Sequence, residues 1–308
     1  MATNHSEPES RPVELTAADG MSIVGRLFEA DRPAQMTALV LPGIGVPQRA
    51  FRHLAAWLAD HGVRCLTLDY RGIGESRTRP DATRTATLLT WARLDAVAAL
   101  ESAQTQWEEP VVVVAHSFGG QLIGLAEPFG QVRAAVLFAS QIGLSRYWDG
   151  LDRLKVGLYW HVALPLACSI YESLPPWMGF GTRLPRGVAR EWAKWGRSPE
   201  WFMSWEAGAS AVFAAFDKPV LAFAIEDDSL APPRAVRALL ELMSSADVHR
   251  RDLAPADVGV DRIGHTGFLK PGHIETVWRE ALEFLRLHVA QQPVAPSRHP
   301  RGPAEAAG

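Results

Sequence analysis

The sequence is poor in cysteine: its 308 residues include only Cys65 and Cys168, far apart, the first of them inside an apolar run. Two such thiols exclude a disulfide framework and a CxxC metal site. An N-terminal apolar core is also missing, because Met1 to Pro12 is polar and acidic. No secretory signal is therefore expected, and a cytoplasmic protein is. No apolar run reaches the roughly 20 residues that a membrane span needs. The longest, Val156 to Ile170, is interrupted by His161 and Pro165, and reads as a buried helix or a helix of a lid. With a net charge of −3 and no basic block, the chain has no electrostatic footprint for nucleic acid. No internal repeat is visible. What is present is the composition of an ordinary globular protein, 47% hydrophobic and 21% charged. The length suits one large α/β domain with an insertion, or two domains.

The most informative stretch runs from Val111 to Gly120: four valines, then Ala115-His116-Ser117-Phe118-Gly119-Gly120. A β-branched run without polar alternation predicts a strand buried on both faces, in the middle of a parallel sheet. Small residues two before and two after Ser117 fit a strand-turn-helix corner too tight for larger side chains. Taken alone, the same residues also describe a helix N-terminus capped by serine. The segment resembles the GxSxG nucleophile elbow of the α/β-hydrolase family, with Ala115 where glycine is usual.

Around this stretch the chain alternates. An antiparallel hairpin is expected from Val13 to Thr16 and Met21 to Phe28, around Ala17-Ala18-Asp19-Gly20. Strands follow at Thr37 to Leu41, Val63 to Leu68, Ala134 to Phe138, Pro219 to Ile225 and Asp247 to Leu253. Helices are predicted at Arg49 to His61, Thr83 to Ser102, Phe118 to Ala126, Pro233 to Met243 and Ile274 to His288. This order implies a mostly parallel central sheet with helices on both faces. Residues 13–140 and 217–290 are read as the core, and 1–12 and 291–308 as disordered tails. Between Gln141 and Phe216 the alternation lapses, and the segment holds seven of the eleven tryptophans. It reads as a helical, Trp-rich lid insertion whose rings form chiefly its own core, the remainder roofing an apolar site.

A serine nucleophile needs a base, and the base an orienting acid. The resemblance implies the order Ser, then acid, then His, and the chain offers it. After the strand ending at Ile225 comes Glu226-Asp227-Asp228-Ser229-Leu230-Ala231-Pro232, where the family's acid-three residues-Pro pattern falls on Asp228, with Asp227 in reserve. The other loop that members use for the acid, Ala139-Ser140-Gln141, has no carboxylate. Ile263-Gly264-His265-Thr266-Gly267-Phe268 resembles the family's histidine loop, especially that of bacterial esterase-like and serine aminopeptidase-like members, and gives His265 as base. His273, after Pro271-Gly272, competes with it, whereas His116 is read as packing at the corner.

Two backbone amides are expected to form an oxyanion hole: that of Phe118 and, by correspondence in the loop after Leu41, that of Ile44, with Gly45 next. The same loop, Leu41-Pro42-Gly43-Ile44-Gly45 with Asp69 ending the next strand, also mimics a dinucleotide site. Gln48 at the third glycine position and two prolines speak against it. Asp69 to Ser76 resembles a family segment that is chiefly structural. An aminopeptidase would need a carboxylate for the substrate amine, and Glu172, Glu191, Glu200 and Glu206 are candidates. The expectation is a serine hydrolase acting on a carboxylic ester, with thioester or amide as close variants, on a small, partly apolar substrate. No cofactor and no metal are implied. An acyltransferase with the same triad, or an idle ligand-binding protein on the same fold, are the alternatives.

Overall fold

The computed structural model describes residues 9–77, 80–272 and 275–290. Its strands are β1 (Arg11–Thr16), β2 (Ser22–Phe28), β3 (Met36–Leu41), β4 (Val63–Leu68), β5 (Val111–His116) and β6 (Ala135–Phe138). A two-residue pair, β7 (Ser173–Leu174) with β8 (Leu184–Pro185), stands apart from the main sheet. β9 (Val220–Ile225) and β10 (Val248–Leu253) complete it. The eight-stranded sheet has the order β1-β2-β4-β3-β5-β6-β9-β10. β4 through β10 along that order are parallel, and β2 joins β4 antiparallel as the inner half of the N-terminal hairpin. β3, β5, β6 and β9 are buried at every position, as strands covered on both faces must be.

The helices of the first half are α1 (Arg52–Asp60), α2 (Pro80–Arg84), α3 (Leu88–Thr90), α4 (Ala96–Gln106) and α5 (Phe118–Leu125). From β3 the chain steps through α1 to β4 on one side, then returns through α4 to β5 on the other. Right-handed crossovers in opposite directions put α1 and α4 on opposite faces of the sheet. β3 and β5 thereby flank a topological switch point, and the crevice beyond their carboxyl ends is where such sheets bind ligands.

The helix expected from Thr83 to Ser102 is interrupted. Thr87 starts a new one at α3 by a reciprocal cap, its Oγ1 accepting from Thr90 N at 3.1 Å and its N donating to Thr90 Oγ1 at 2.8 Å. A π-turn at Trp91–Asp95 then joins α3 to α4. Asp95 is fully buried there against the equally buried Arg71, whose amide and Nε donate to its carboxylate at 2.8 and 2.7 Å. Arg71 also reaches Asp19 at 2.6 Å. The Asp69–Ser76 segment is therefore a structural knot, in keeping with the sequence reading. Asp69 accepts the amides of Gln48 and Glu75 at 2.7 and 2.8 Å, so its carboxylate is occupied within the protein rather than presented to a ribose.

Between β6 and β9 the chain forms α6 (Gly150–Leu158), α7 (Leu164–Ile170), α8 (Arg186–Gly196) and α9 (Ala209–Ala215), and adds no strand to the main sheet. A π-turn at Tyr159–Ala163 joins α6 to α7 in one continuous rod. Val156 to Ile170 is thus helical, but one side of it faces outward rather than being buried. α10 (Pro233–Leu240) and α11 (Glu275–Ala290) close the fold. Arg11 and Pro12, expected in a tail, belong to β1 instead, paired with Leu27 and Arg26. Residues 1–8 and 291–308 lie outside the described residues.

Candidate active site

Ser117 sits between β5 and α5 with φ 53° and ψ −116°, a conformation a non-glycine residue adopts only when its surroundings impose it. Its amide donates to Phe138 O of β6 at 2.9 Å, and its carbonyl accepts from Gly120 N at 3.2 Å. Gly119 shows why the corner needs small residues: a Cβ there would lie 2.1 Å from Leu41 O of β3. Gly43, in the loop after β3, is equally constrained, since its Cβ would come within 2.8 Å of His116 Nδ1 and 3.0 Å of Ser117 Cβ.

The structure brings Asp228 and His265 together. His265 Nδ1 donates to Asp228 Oδ2 at 2.7 Å, while Asp228 Oδ1 accepts the amides of Leu230 and Ala231 at 2.8 and 3.1 Å. A carboxylate facing Nδ1 fixes the proton there and leaves Nε2 as the ring's acceptor. Ser117 and His265 line the same cavity. The competitor His273 lies outside the described residues.

Asp227, the reserve acid, is placed differently. Its two oxygens accept the amides of Ile263 and Gly264 at 3.0 and 2.9 Å, gripping the loop that carries His265. Adjacent carboxylates thus divide two tasks, one on the ring and one on its backbone. Nothing in the sequence marks this grip, whereas His116 packs at the corner as expected and also meets the histidine loop. His116 is fully buried, its Nε2 lies 2.9 Å from His265 O, and its ring centroid is 4.6 Å from that of His265. The end of β5 is thereby tied directly to the histidine loop. The only hint in the sequence was a histidine adjoining the serine.

Burial, and then the neighbouring His265, hold the His116 imidazole well below its usual 6.5. The unfolded chain takes up a proton near 6.5 that the folded chain refuses, so this group's stability is present above that pH and lost as pH falls. The expected slope is about 1.4 kcal/mol per pH unit for one such group. Urea midpoints between pH 8 and pH 5.5 should fall more steeply for wild type than for His116→Gln. Equal slopes would remove His116 from the explanation.

Ile44 lines the cavity, and its amide donates to no protein acceptor among the described residues. Its loop is pinned by the Tyr70 hydroxyl, which donates to Pro42 O at 3.1 Å. Phe118 is the first residue of α5, so its amide has no acceptor within the helix. Among the described residues, no group of His, Cys, Asp and Glu is arranged to hold a metal ion.

The cavity measures about 1220 Å³ and opens beyond the carboxyl ends of β3 and β5. Trp148, Trp160, Trp177 and Trp192 of the β6–β9 segment contribute to its wall, so more of the rings face the cavity than expected. Trp195 and Trp201 are buried where the segment packs on α5, with Trp201 Nε1 donating to Gln121 Oε1 at 3.1 Å. The charged lining has one sign: Arg49, Arg52, Lys155 and Lys270 take part, and no Asp or Glu does among the described residues. Arg49, Arg52 and Lys270 have no carboxylate partner among those residues. Glu172, Glu191, Glu200 and Glu206 are all absent from the wall. Glu191 instead accepts Leu89 N at 3.0 Å, and Glu206 pairs with Arg93 at 2.7 Å.

A parallel sheet with a strained serine corner at its switch point defines a protein of the α/β-hydrolase fold. The chain belongs to the alpha/beta hydrolase family, whose sequence profile matches residues 38–294. It is 34% identical over 137 residues to a polyketide transferase, grgF, of Penicillium sp., a match spanning 42% of this chain and 45% of that protein. Among solved structures it resembles the alpha/beta hydrolase GrgF from Penicillium sp. sh18, with TM-score 0.58 and 22% identity over 92% of this chain and 99% of that one. Est1E from Butyrivibrio proteoclasticus, solved with ferulic acid bound, superposes with TM-score 0.61 at 17% identity, covering 91% of this chain and 100% of that one. Among the described residues, no helix is long and apolar enough to cross a membrane.

Proposed function

We propose that the protein is a serine hydrolase that cleaves a carboxylic ester through an acyl-enzyme on Ser117. The observation that carries this reading is the shared cavity of Ser117 and His265, with His265 Nδ1 held 2.7 Å from Asp228. Nε2 of His265 takes the Ser117 proton as Oγ attacks the carbonyl, and Asp228 stabilises the imidazolium that forms. The amides of Phe118 and Ile44 receive the developing oxyanion, a donor pair in which each amide is worth about 100- to 1,000-fold in turnover. The imidazolium protonates the leaving group. His265 then activates water, which releases the acid and regenerates the serine.

Aromatic walls and a cationic lining describe the substrate. An apolar or aromatic acyl group packs against Trp148, Trp160 and Trp192, while Arg49, Arg52 and Lys270 face a carboxylate or phosphate elsewhere on the molecule. The lack of a wall carboxylate among the described residues leaves a substrate ammonium without a partner there, which favours esters over aminopeptidase substrates. The β6–β9 segment serves as a lid.

Aryl esters of graded acyl length test this, each with a neutral or a carboxylate terminus. Each added buried methylene is worth about 0.8 kcal/mol, so an octanoyl ester should exceed an acetyl ester by well over tenfold in kcat/KM. Arg52→Glu with Lys270→Glu should lower kcat/KM for the acid-bearing ester about tenfold and leave the neutral one within about twofold. Equal or better turnover of acetyl esters sinks the apolar acyl group, and equal effects on both termini sink the anion.

Similarity to a polyketide transferase favours acyl transfer as the second reading. Product analysis with added alcohol or amine acceptors separates transfer from hydrolysis.

A further inference from the structure

The rod formed by α6, the π-turn and α7 is apolar on two opposite sides. Inward, Trp160, Leu164, Ala167 and Cys168 are buried. Outward, Leu151, Leu154, Leu158, Val162, Leu166 and Ile170 are each between 51% and 74% exposed. A contiguous aliphatic face of this length left exposed marks a surface that a partner covers. Nothing in this chain covers the outer side among the described residues.

The outer side chains form a straight row, and the π-turn is the reason. From Leu158 onward they recur every four residues, which on an ideal α-helix would carry them about 120° around the axis by Ile170. One residue inserted by a π-turn sets the following residues back by about 100°. Placed at Tyr159–Ala163, it nearly cancels the drift and keeps the row on one face over about 30 Å. Gly157, between Leu154 and Leu158, has open space where a Cβ would stand. In a helix interior glycine costs about 1 kcal/mol relative to alanine, and no contact among the described residues requires it. Close approach of another helix would use it.

We infer that this row is the interface of a two-fold homodimer in which the rods of two copies pack antiparallel, with Leu158 and Val162 near the axis. The exposed parts of the six aliphatic side chains, with neighbouring Trp177 at 75% exposure, amount to roughly 800 Å², the share each partner gives to a standard interface. Antiparallel rods also set each positive helix end beside the other's negative end. A lipid surface fits less well, because membrane-surface helices carry a Lys- and Arg-rich polar face. Here the rod holds one arginine and one lysine, Arg153 and Lys155, and Lys155 is paired with Asp152 at 2.7 Å. The consequence for the site is direct: Lys155, Val156, Tyr159 and Trp160 of the same rod line the cavity, so pairing braces its roof.

Sedimentation equilibrium of the full chain, from about 1 to 100 µM, should give a dimer. Leu158→Asp with Leu166→Asp should raise its Kd at least about 100-fold, because each charge is buried in an apolar contact. These positions face outward, and circular dichroism checks that the variant is folded. Independently, Val162→Cys under mild oxidation should give a covalent dimer whose cross-linked peptide contains residue 162. A monomer throughout the range, a dimer unaffected by the aspartates, or a monomer that binds phosphatidylcholine–phosphatidylglycerol vesicles through this row would each overturn the proposal.

Discussion

Ser117→Ala is expected to lower kcat about a million-fold while the protein stays folded, because removing the nucleophile of such a triad costs about that much. What remains would be the contribution of binding and the oxyanion amides. The fold should be indifferent to the change. Ser117 is held by its backbone, through its amide to Phe138 O and its carbonyl to Gly120 N, and alanine keeps both contacts. The positive φ is equally unfavourable for serine and alanine, so the strain of about 1–3 kcal/mol carried there is unchanged. Thermal melting of the variant within about 2 °C of wild type, with turnover lost, is the expected pair of results. Turnover that survives in a folded variant removes Ser117 from the mechanism.

Asp228→Asn should cost about 10,000-fold in kcat, by a different route. The amide oxygen can still accept from Leu230 and Ala231, so the turn after β9 is preserved. The amide nitrogen, however, would meet His265 Nδ1 as a donor. That favours the ring tautomer with its proton on Nε2, the atom that must accept the Ser117 proton. Asp227→Asn supplies the contrast. Its carboxylate holds two loop amides rather than the ring, and losing one acceptor should cost about 1–3 kcal/mol of stability with a far smaller loss of kcat. Steady-state rates and melts of both variants decide between the two neighbours. A larger kcat loss in Asp227→Asn would reverse the assignment.

The fold was legible because burial on both faces writes a strand as an uninterrupted apolar run. Val111 to Val114, Ala134 to Phe138 and Val220 to Ile225 could be read that way, and their strands lie side by side in the sheet. Polar pairs distant in sequence left no such trace. Nothing near Arg71 announces that Asp95 is its buried partner, or that the π-turn at Trp91–Asp95 would break a helix the periodicity runs straight through. At the site, resemblance singled out Ser117, Asp228 and His265, with Asp227 in reserve, but the hold of Asp227 on the loop that carries His265 could not be read. No residue near Asp227 marks it as the one whose oxygens meet two amides of a loop 36 residues on, while Asp228 meets the ring. The tryptophans show the same limit. Their number foretold an aromatic segment, whereas which rings face the cavity depends on helix rotation, and π-turns alter that rotation without a sequence mark. The outer row on the rod escaped notice for the same reason.

The most direct test of the account is covalent labelling of the folded protein with a fluorophosphonate, mapped by mass spectrometry in wild type, Ser117→Ala and His265→Ala. An activated serine predicts an adduct on Ser117 in wild type, none at that position in Ser117→Ala, and a labelling rate in His265→Ala lower by at least about 100-fold. An adduct on another residue, a His265→Ala variant labelled as fast as wild type, or a folded wild-type protein that resists excess probe would contradict it.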